Sequence, residues 1–311
     1  MTFTQLEYIV AVDTWRHFAT AAGHCFITQP TLSMQVQKLE EELDIKIFDR
    51  SKQPVVPTET GVEFIERARE ILAKRDSLLE DIQFKKGQLT GELRIGIIPT
   101  LAPYLLPLFV PSFTRKYPGV RLVVHELMTE LIVSRLREGK IDAGILVTPL
   151  QESGIREYAL FYEELMAYVS RKNDIYRKTY ILPQDIDPGK LWLLEEGHCF
   201  RSQIANLCEL KKISRETHHF DYEAGSIETL RRMVELNDGI TIIPELATLD
   251  MPSRQMQLIR HFKRPAPMRE VSLVVHRNGM KQKLIEMLRK EILQMIPEKI
   301  RKNKNGNVVQ V

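Results

Sequence analysis

Apolar pairs at Phe64–Ile65, Ile71–Leu72 and Leu78–Leu79 recur every seven residues. A seven-residue apolar repeat marks a helix that lays a seam against a partner. Thr58-Glu59-Thr60-Gly61 reads as the cap that starts this helix, and Ala68 and Ile82 carry its stripe toward about Lys86. A solitary helix would leave the seam in water. It is therefore expected to meet a second copy of the chain, or else the helix's own domain. The helix also divides the chain. Residues before it keep helical spacing. Residues after a hinge at Gly87–Gly91 fall into short apolar runs alternating with helical patterns.

The segment 1–58 reads as three helices and a ribbon. Phe3, Leu6, Ile9 and Val10 form one helical stripe, and Phe18-Ala19-Thr20-Ala21-Ala22 begins a short small-residue helix. Thr28 suits an N-cap, with Pro30 tolerated in the first turn that follows. Leu32, Val36, Leu39 and Leu43 then line one buried face. Ile45–Phe48 and Pro54–Pro57 look like two short strands around a polar tip. The outline is that of a winged helix-turn-helix. Off the buried face lie Gln29, Pro30, Thr31, Ser33, Met34, Gln37 and Lys38, with Arg50 and Lys52 at the ribbon tip. Gln pairs with base edges, and Ser, Thr, Lys and Arg reach phosphate. The charge count runs against this reading. Residues 1–60 carry five Lys/Arg against eight Asp/Glu, a net of −3, where a DNA reader usually shows a basic footprint. The acids gather in Glu40-Glu41-Glu42, away from the leading turn of the third helix.

Residues 91–303 have the alternation of an α/β fold with a mainly parallel sheet. Strands are expected at Leu93–Ile98, Val120–His125, Ile141–Leu146, Gly239–Pro244 and Val271–Val275, with an amphipathic helix over 280–296. The basic tail, 304–311, is expected to be disordered. No apolar run of the 311 residues approaches the roughly 20 that a membrane helix requires. The N-terminus lacks the pattern of a signal peptide. With three cysteines and no export signal, a cytoplasmic chain with reduced thiols is expected.

Two of those cysteines stand nine residues apart in EEGHCFRSQIANLC, at Cys199 and Cys208. Phe200, Ile204, Leu207 and Cys208 fit one helical face, so a helix should begin near Cys199. Over nine residues a helix rises about 13.5 Å at ~1.5 Å each. A disulfide needs Cα atoms within roughly 4.4–6.8 Å. The pair can bond only if the helix unwinds. A helix N-terminus favours thiolate, and His198 and Arg201 are placed to add positive potential. The competing reading is a pair of inert, core-filling cysteines. Cys25 is expected to pack in the first domain. His198, His218 and His219 show no metal-ligand spacing, and no metal or other cofactor is implied. Thr100 and Thr129 follow the first two strands of the α/β region, where such folds place ligands. Ser226 reads as a helix N-cap.

The run Ala21-Ala22-Gly23-His24-Cys25-Phe26-Ile27-Thr28-Gln29-Pro30-Thr31-Leu32-Ser33, with Gln37–Leu43 and the IKIFDR of 45–50, resembles the DNA-binding domain of LysR-type transcriptional regulators. Gly139-Lys140-Ile141-Asp142 and Gly239–Pro244 extend the resemblance into the C-terminal region, and the block at 191–208 with Gly96–Thr100 and Pro103–Pro107 is similar to the family's peroxide sensors. The resemblance implies a winged helix-turn-helix over 1–58, a linker and dimerisation helix over 59–90, and an effector domain over 91–303. That domain would consist of two Rossmann-like lobes, like periplasmic binding proteins: 91–161 plus 268–303, and 162–267. It implies a homodimer or homotetramer on double-stranded promoter DNA, with RNA polymerase as a further partner. Hydrogen peroxide would be the signal, Cys199 the peroxide-reactive thiol and Cys208 its resolving partner. Thr100, Thr129, His198, Arg201 and Arg269 would form the peroxide pocket. Two alternatives stand beside this: a regulator controlled by a metabolite between the lobes, and an enzyme, a thiol peroxidase or cysteine hydrolase built on Cys199 and His198.

Overall fold

The computed structural model describes residues 1–85, 90–195, 199–208, 224–277, 279, 281–303 and 306–309. Thr2 and Gln5 exchange hydrogen bonds in a capping box that starts helix α1 (Phe3–Trp15). Helix α2 (Phe18–His24) is capped by His17, whose Nδ1 accepts the Thr20 amide. Helix α3 (Gln29–Leu43) buries Leu32, Val36 and Leu39 against Ile9, Val12, Ala21 and Ala22. The wing strands β1 (Phe48–Asp49) and β2 (Val56–Pro57) are antiparallel and shorter than the sequence pattern implies. Their anchor is Glu40, a buried carboxylate that accepts the Ile47 and Phe48 amides at 2.8 and 3.1 Å. Backbone amides that would otherwise pair with a neighbouring strand are satisfied by this side chain, so strand pairing is brief.

Helix α4 (Glu59–Lys85) begins where the Gly61 amide donates to Thr58 Oγ1 at 2.9 Å. Its seam divides. Ile65, Ala68 and Leu72 are buried against the first domain, with Leu6 beside Ala68 and Leu72. Ile71, Leu78, Leu79 and Ile82 are exposed. The first half thus packs on the helix's own domain, and the second half is left open. Gly87 lies outside the described residues.

The remaining elements are β3 (Gly91–Ile97), α5 (Ala102–Lys116), β4 (Val120–Glu126), α6 (Thr129–Arg137), β5 (Ala143–Thr148), β6 (Ile155–Val169), β7 (Tyr180–Ile181), α7 (Cys199–Leu207), α8 (Ile227–Leu236), β8 (Ile240–Pro244), α9 (Ser253–Met256), β9 (Ile259–Phe262), β10 (Ala266–His276), α10 (Gln282–Met295), α11 (Glu298–Lys302) and β11 (Gly306–Val308). The sheet runs β4-β3-β5-β10-β6-β9-β7, with β8 on β6 and β11 on β10. It is parallel across β4, β3 and β5 but antiparallel where β10 meets β5 and β6. The expectation of a mainly parallel sheet is corrected on that point: β6 and β10 are long strands that cross between two lobes in opposite directions, which needs no helical crossover.

Two apolar cores flank this crossing. One collects Leu93, Phe109, Phe113, Phe161 and Leu273. The other collects Leu165, Tyr168, Phe200, Val234 and Ile242. β6 contributes to both. The architecture is the expected one, two α/β lobes behind a winged helix-turn-helix and a long helix. The tail departs from expectation: Gly306–Val308 is not disordered but pairs in parallel with Ala266–Met268. Among the described residues no helix is long and apolar enough to cross a membrane.

A Cβ at Gly61 would stand 2.0 Å from the Ile47 carbonyl oxygen. Replacing a helical glycine by alanine normally gains about 1 kcal/mol. Here a rigid backbone atom occupies the space, and the overpacking cost of about 1–3 kcal/mol wins. Gly61→Ala is expected to lower the thermal midpoint of the N-terminal domain, read by circular dichroism.

Candidate functional site

Thr100, Thr129, Cys199 and Arg269 arrive from four separated segments. Thr100 follows β3 and is buried. Thr129 opens α6, Cys199 opens α7, and Arg269 lies on β10. Arg269 is fully buried and pairs at 2.8 Å with the equally buried Glu163 of β6. Its Nε donates to Glu163, while Nη1 donates to Thr100 Oγ1 at 3.1 Å and Nη2 to the Thr100 carbonyl at 3.2 Å. The guanidinium also sits over the Phe200 ring, 5.1 Å from its centre. A planar fork with five donors can serve a carboxylate, a hydroxyl and a carbonyl at once, which a lysine cannot. Glu163 completes the cluster by accepting the Leu246 amide at 2.8 Å. Burial pushes its carboxyl up, against the pull of Arg269.

The Cys199 thiol is held in this cluster. Burial is the leading influence and raises its pKa above the ordinary value. Four neighbours work in the opposite direction: the Thr129 hydroxyl, the Arg269 charge, and the amides of Phe200 and Cys199. The helix N-terminus does favour the thiolate, as the sequence implies, but desolvation outweighs it. Thr129 Oγ1 is itself buried without a hydrogen-bond partner. Among the described residues the only group it bears on is the Cys199 sulfur beside it, so its oxygen lone pairs are available to a small polar molecule with donors.

Arg201 departs from its expected place in the pocket. Its Nη1 donates to the Leu194 carbonyl at 2.7 Å, tying α7 to the preceding segment. The cation acting on the thiol is Arg269. His198, His218 and His219 lie outside the described residues. Ser226 caps α8 by accepting the Glu228 amide. Cys25 packs in the first core, its pKa raised by burial and by Glu7.

Cys208 sits in the turn after α7, its amide donating to the Ile204 carbonyl at 3.0 Å. It packs against the second core, and burial pushes its thiol up to about 11. All three cysteines are free thiols. A standing helix separates Cys199 from Cys208.

On the N-terminal domain, Thr28, Gln29, Pro30, Met34, Gln37 and Lys38 are exposed on α3, and Thr31 and Ser33 are half-buried. Thr28 occupies the N-cap position, but its hydroxyl meets that of Thr31 at 2.8 Å and not a backbone amide. Arg50 is exposed yet drawn back to α3, donating to Ser33 and Glu40 at 3.1 Å each. Lys52 points outward, with Asp49 at 3.7 Å. Phe26, which the pattern alone passes over, stands 95% exposed in left-handed backbone at the α2–α3 turn.

Sequence reasoning missed Glu163. Its only signal was a carboxylate inside the apolar run of β6, which demands a buried cation. It also missed Gln203 of α7, which is fully buried.

Residues 3–62 match the bacterial regulatory helix-turn-helix protein, lysR family, and residues 86–296 match the LysR substrate binding domain. The hydrogen peroxide-inducible genes activator of Dickeya chrysanthemi is 34% identical over 275 residues, covering 88% of this chain and 89% of that protein. The HTH-type transcriptional regulator EstR of Acinetobacter baylyi is 32% identical over 276 residues, covering 88% and 90%. A full-length OxyR variant from Pseudomonas aeruginosa superposes with a TM-score of 0.74 at 33% identity, covering 95% of this chain and 98% of that one.

Two outcomes are expected from the site. Removing the carboxylate in Glu163→Leu leaves Arg269 charged and unpaired in the core, at a cost of about 3–5 kcal/mol. Urea unfolding followed by tryptophan fluorescence measures it. In Cys199→Ser, alkylation of Cys208 by iodoacetamide should rise with pH about a midpoint near 11, against the ordinary 9.0. The sign follows from burial, which keeps the neutral thiol to higher pH. Denaturant should return the midpoint to the ordinary value.

Proposed function

This chain belongs to the LysR family of bacterial transcriptional regulators, and from that premise we propose that it is a hydrogen-peroxide-sensing regulator switched by oxidation of Cys199. The observation that carries the reading is the cluster at the head of α7. A partly buried thiol there faces the Thr129 hydroxyl and the Arg269 cation, with a second cysteine held away by the helix between them.

In this reading peroxide enters beside Thr129, whose hydroxyl oxygen accepts a hydrogen bond from it while the hydroxyl proton is directed to the Cys199 sulfur. Arg269, the Thr129 hydroxyl and the two amides lower the cost of forming the thiolate, the nucleophilic form. The thiolate attacks the near oxygen. The O–O bond breaks, an S–O bond forms, and the departing hydroxide takes up a proton to leave as water. Cys199 is now a sulfenic acid. Cys208, once the helix unwinds, attacks that sulfur. The S–O bond breaks, the disulfide forms, and a second water leaves. Two thiols are oxidised as one peroxide is reduced.

The same helix gives the event its reach. Bonding needs the two Cα atoms at about half or less of the separation a helix imposes. Oxidation therefore becomes a conformational change. The DNA-reading set on this interpretation is Thr28, Gln29, Pro30, Thr31, Ser33, Met34, Gln37, Lys38 and Lys52. Arg50 serves there mainly by bracing the wing against α3. The open half of the α4 seam supports pairing of copies in a homodimer or homotetramer, acting in the cytoplasm on promoter DNA and through RNA polymerase. A sensor of this kind consumes peroxide stoichiometrically and is not a turnover enzyme.

A second reading is control by a metabolite between the lobes; EstR, whose name specifies a transcriptional regulator without naming peroxide, is nearly as similar to this chain as the peroxide-inducible activator. One experiment separates the two. The full chain is treated with stoichiometric hydrogen peroxide and its tryptic peptides are mapped by mass spectrometry. A Cys199–Cys208 crosslink, absent from Cys199→Ser, is expected. Thiols that stay reduced in a chain that still binds DNA would overturn the peroxide reading in favour of the metabolite.

A further inference from the structure

Gln203 lies at the centre of α7, between the two cysteines, and is fully buried. Its Nε2 donates to the Val309 carbonyl at 3.0 Å, and its Oε1 is buried without a partner. Val309 packs on the core of the second lobe, and its amide donates to the Met268 carbonyl at 2.8 Å. Just ahead of it, β11 pairs Gly306 with Ala266, Asn307 with Pro267 and Val308 with Met268. The fit depends on glycine: a Cβ at Gly306 would lie 2.5 Å from the Ala266 carbonyl oxygen and from the Met268 side chain. The C-terminal segment therefore bridges two parts of the site. One end lies on β10 directly before Arg269, and the other is held by the middle of the redox helix.

We infer that Gln203 and β11 form a latch that keeps α7 wound while the thiols are reduced and that opens when Cys199 and Cys208 bond. The inference rests on the redox reading given above. A strand of only three residues has few ladder hydrogen bonds to hold it. Here the tie is a side chain that is in position only while α7 is a helix. Disulfide formation must collapse the helix around residue 203. The half-buried Val309 carbonyl then loses its side-chain donor, and with it the tie between the strand and α7. The strand detaches, and the Ala266–Met268 edge of β10 is uncovered beside Arg269. Gln203 is thus a positioning residue for the second step of the peroxide reaction. It does not touch peroxide, but it sets how readily Cys208 can reach Cys199.

Hydrogen exchange with mass spectrometry on the full-length chain tests this, before and after stoichiometric hydrogen peroxide, with the crosslink mapped in the same samples. Amides of 306–309 are expected to exchange about tenfold or more faster in the crosslinked chain, as for a segment that has opened locally. They should be unchanged by peroxide in Cys199→Ser. A mapped crosslink with unaltered protection of 306–309 would overturn the latch and leave the redox reading standing. Absence of the crosslink would overturn both, and it is scored separately. Two variants probe the coupling from opposite sides. Gly306→Val dislodges the strand without touching α7, and Gln203→Met removes the hydrogen bond. Each is expected to speed crosslinking several-fold while leaving the rate of sulfenic acid formation, trapped with dimedone, unchanged. Equal slowing of both steps in both variants would mark a merely structural role and overturn the inference.

Discussion

The ion pair between Arg269 and Glu163 is the constraint on which the effector region hangs. Both side chains are fully buried, and they join β10 to β6, the two strands that run through both lobes. Such a pair adds little net stability compared with apolar residues, because desolvation consumes most of the attraction. Its value lies in placement. Once Glu163 has accepted from Nε, the fork of Arg269 has defined directions left, and its Nη1 and Nη2 reach Thr100. The same charge acts on the Cys199 sulfur. One buried cation thus anchors the crossing strands, orients a strand-end loop and supplies the positive potential for a thiol.

The thiol's environment is a balance of opposed effects. A fully charged, exposed cysteine would react with any oxidant, and a wholly buried one with none. At Cys199 burial wins, which favours the neutral thiol. The groups that stabilise the thiolate are nonetheless in place around the sulfur. Cys208 has no such help; burial alone raises its pKa. The two thiols are chemically unequal before any oxidant arrives, which suits an attacking sulfur and a resolving one.

Much of this was legible in sequence, and the parts that were not share a cause. The buried face of α3 could be read from the spacing of Leu32, Val36 and Leu39, and the start of α7 from the run after Cys199, because a helix encodes its own period. Thr100 and Thr129 could be placed at strand ends for the same reason. The roles of Glu40, Glu163 and Gln203 could not. Each is a polar residue whose partner lies elsewhere: the wing amides for Glu40, β10 for Glu163, the chain terminus for Gln203. Local periodicity carries no record of such partners. Arg201 failed for a related reason. Proximity in sequence put it next to Cys199, but helical geometry turned its guanidinium to the Leu194 carbonyl. The tail was misread because its composition is basic and polar, while its order comes from Gly306 fitting closely against β10.

The charge of the N-terminal domain fits this picture of function only if readers act together. Phosphate contacts by Lys and Arg supply most of the affinity of a DNA-binding module. Here Arg50 is engaged with Glu40, leaving Lys38 and Lys52 as the basic groups of the reading set. A single domain with a net of −3 over residues 1–60 would bind weakly and dissociate quickly. Linking two or more such domains through the open half of the α4 seam makes each later contact intramolecular and raises avidity by orders of magnitude, provided the spacing matches the DNA. Weak individual readers make that dependence on spacing steep. A modest change in lobe geometry, such as unwinding nine residues at α7, can then decide which DNA sites are held.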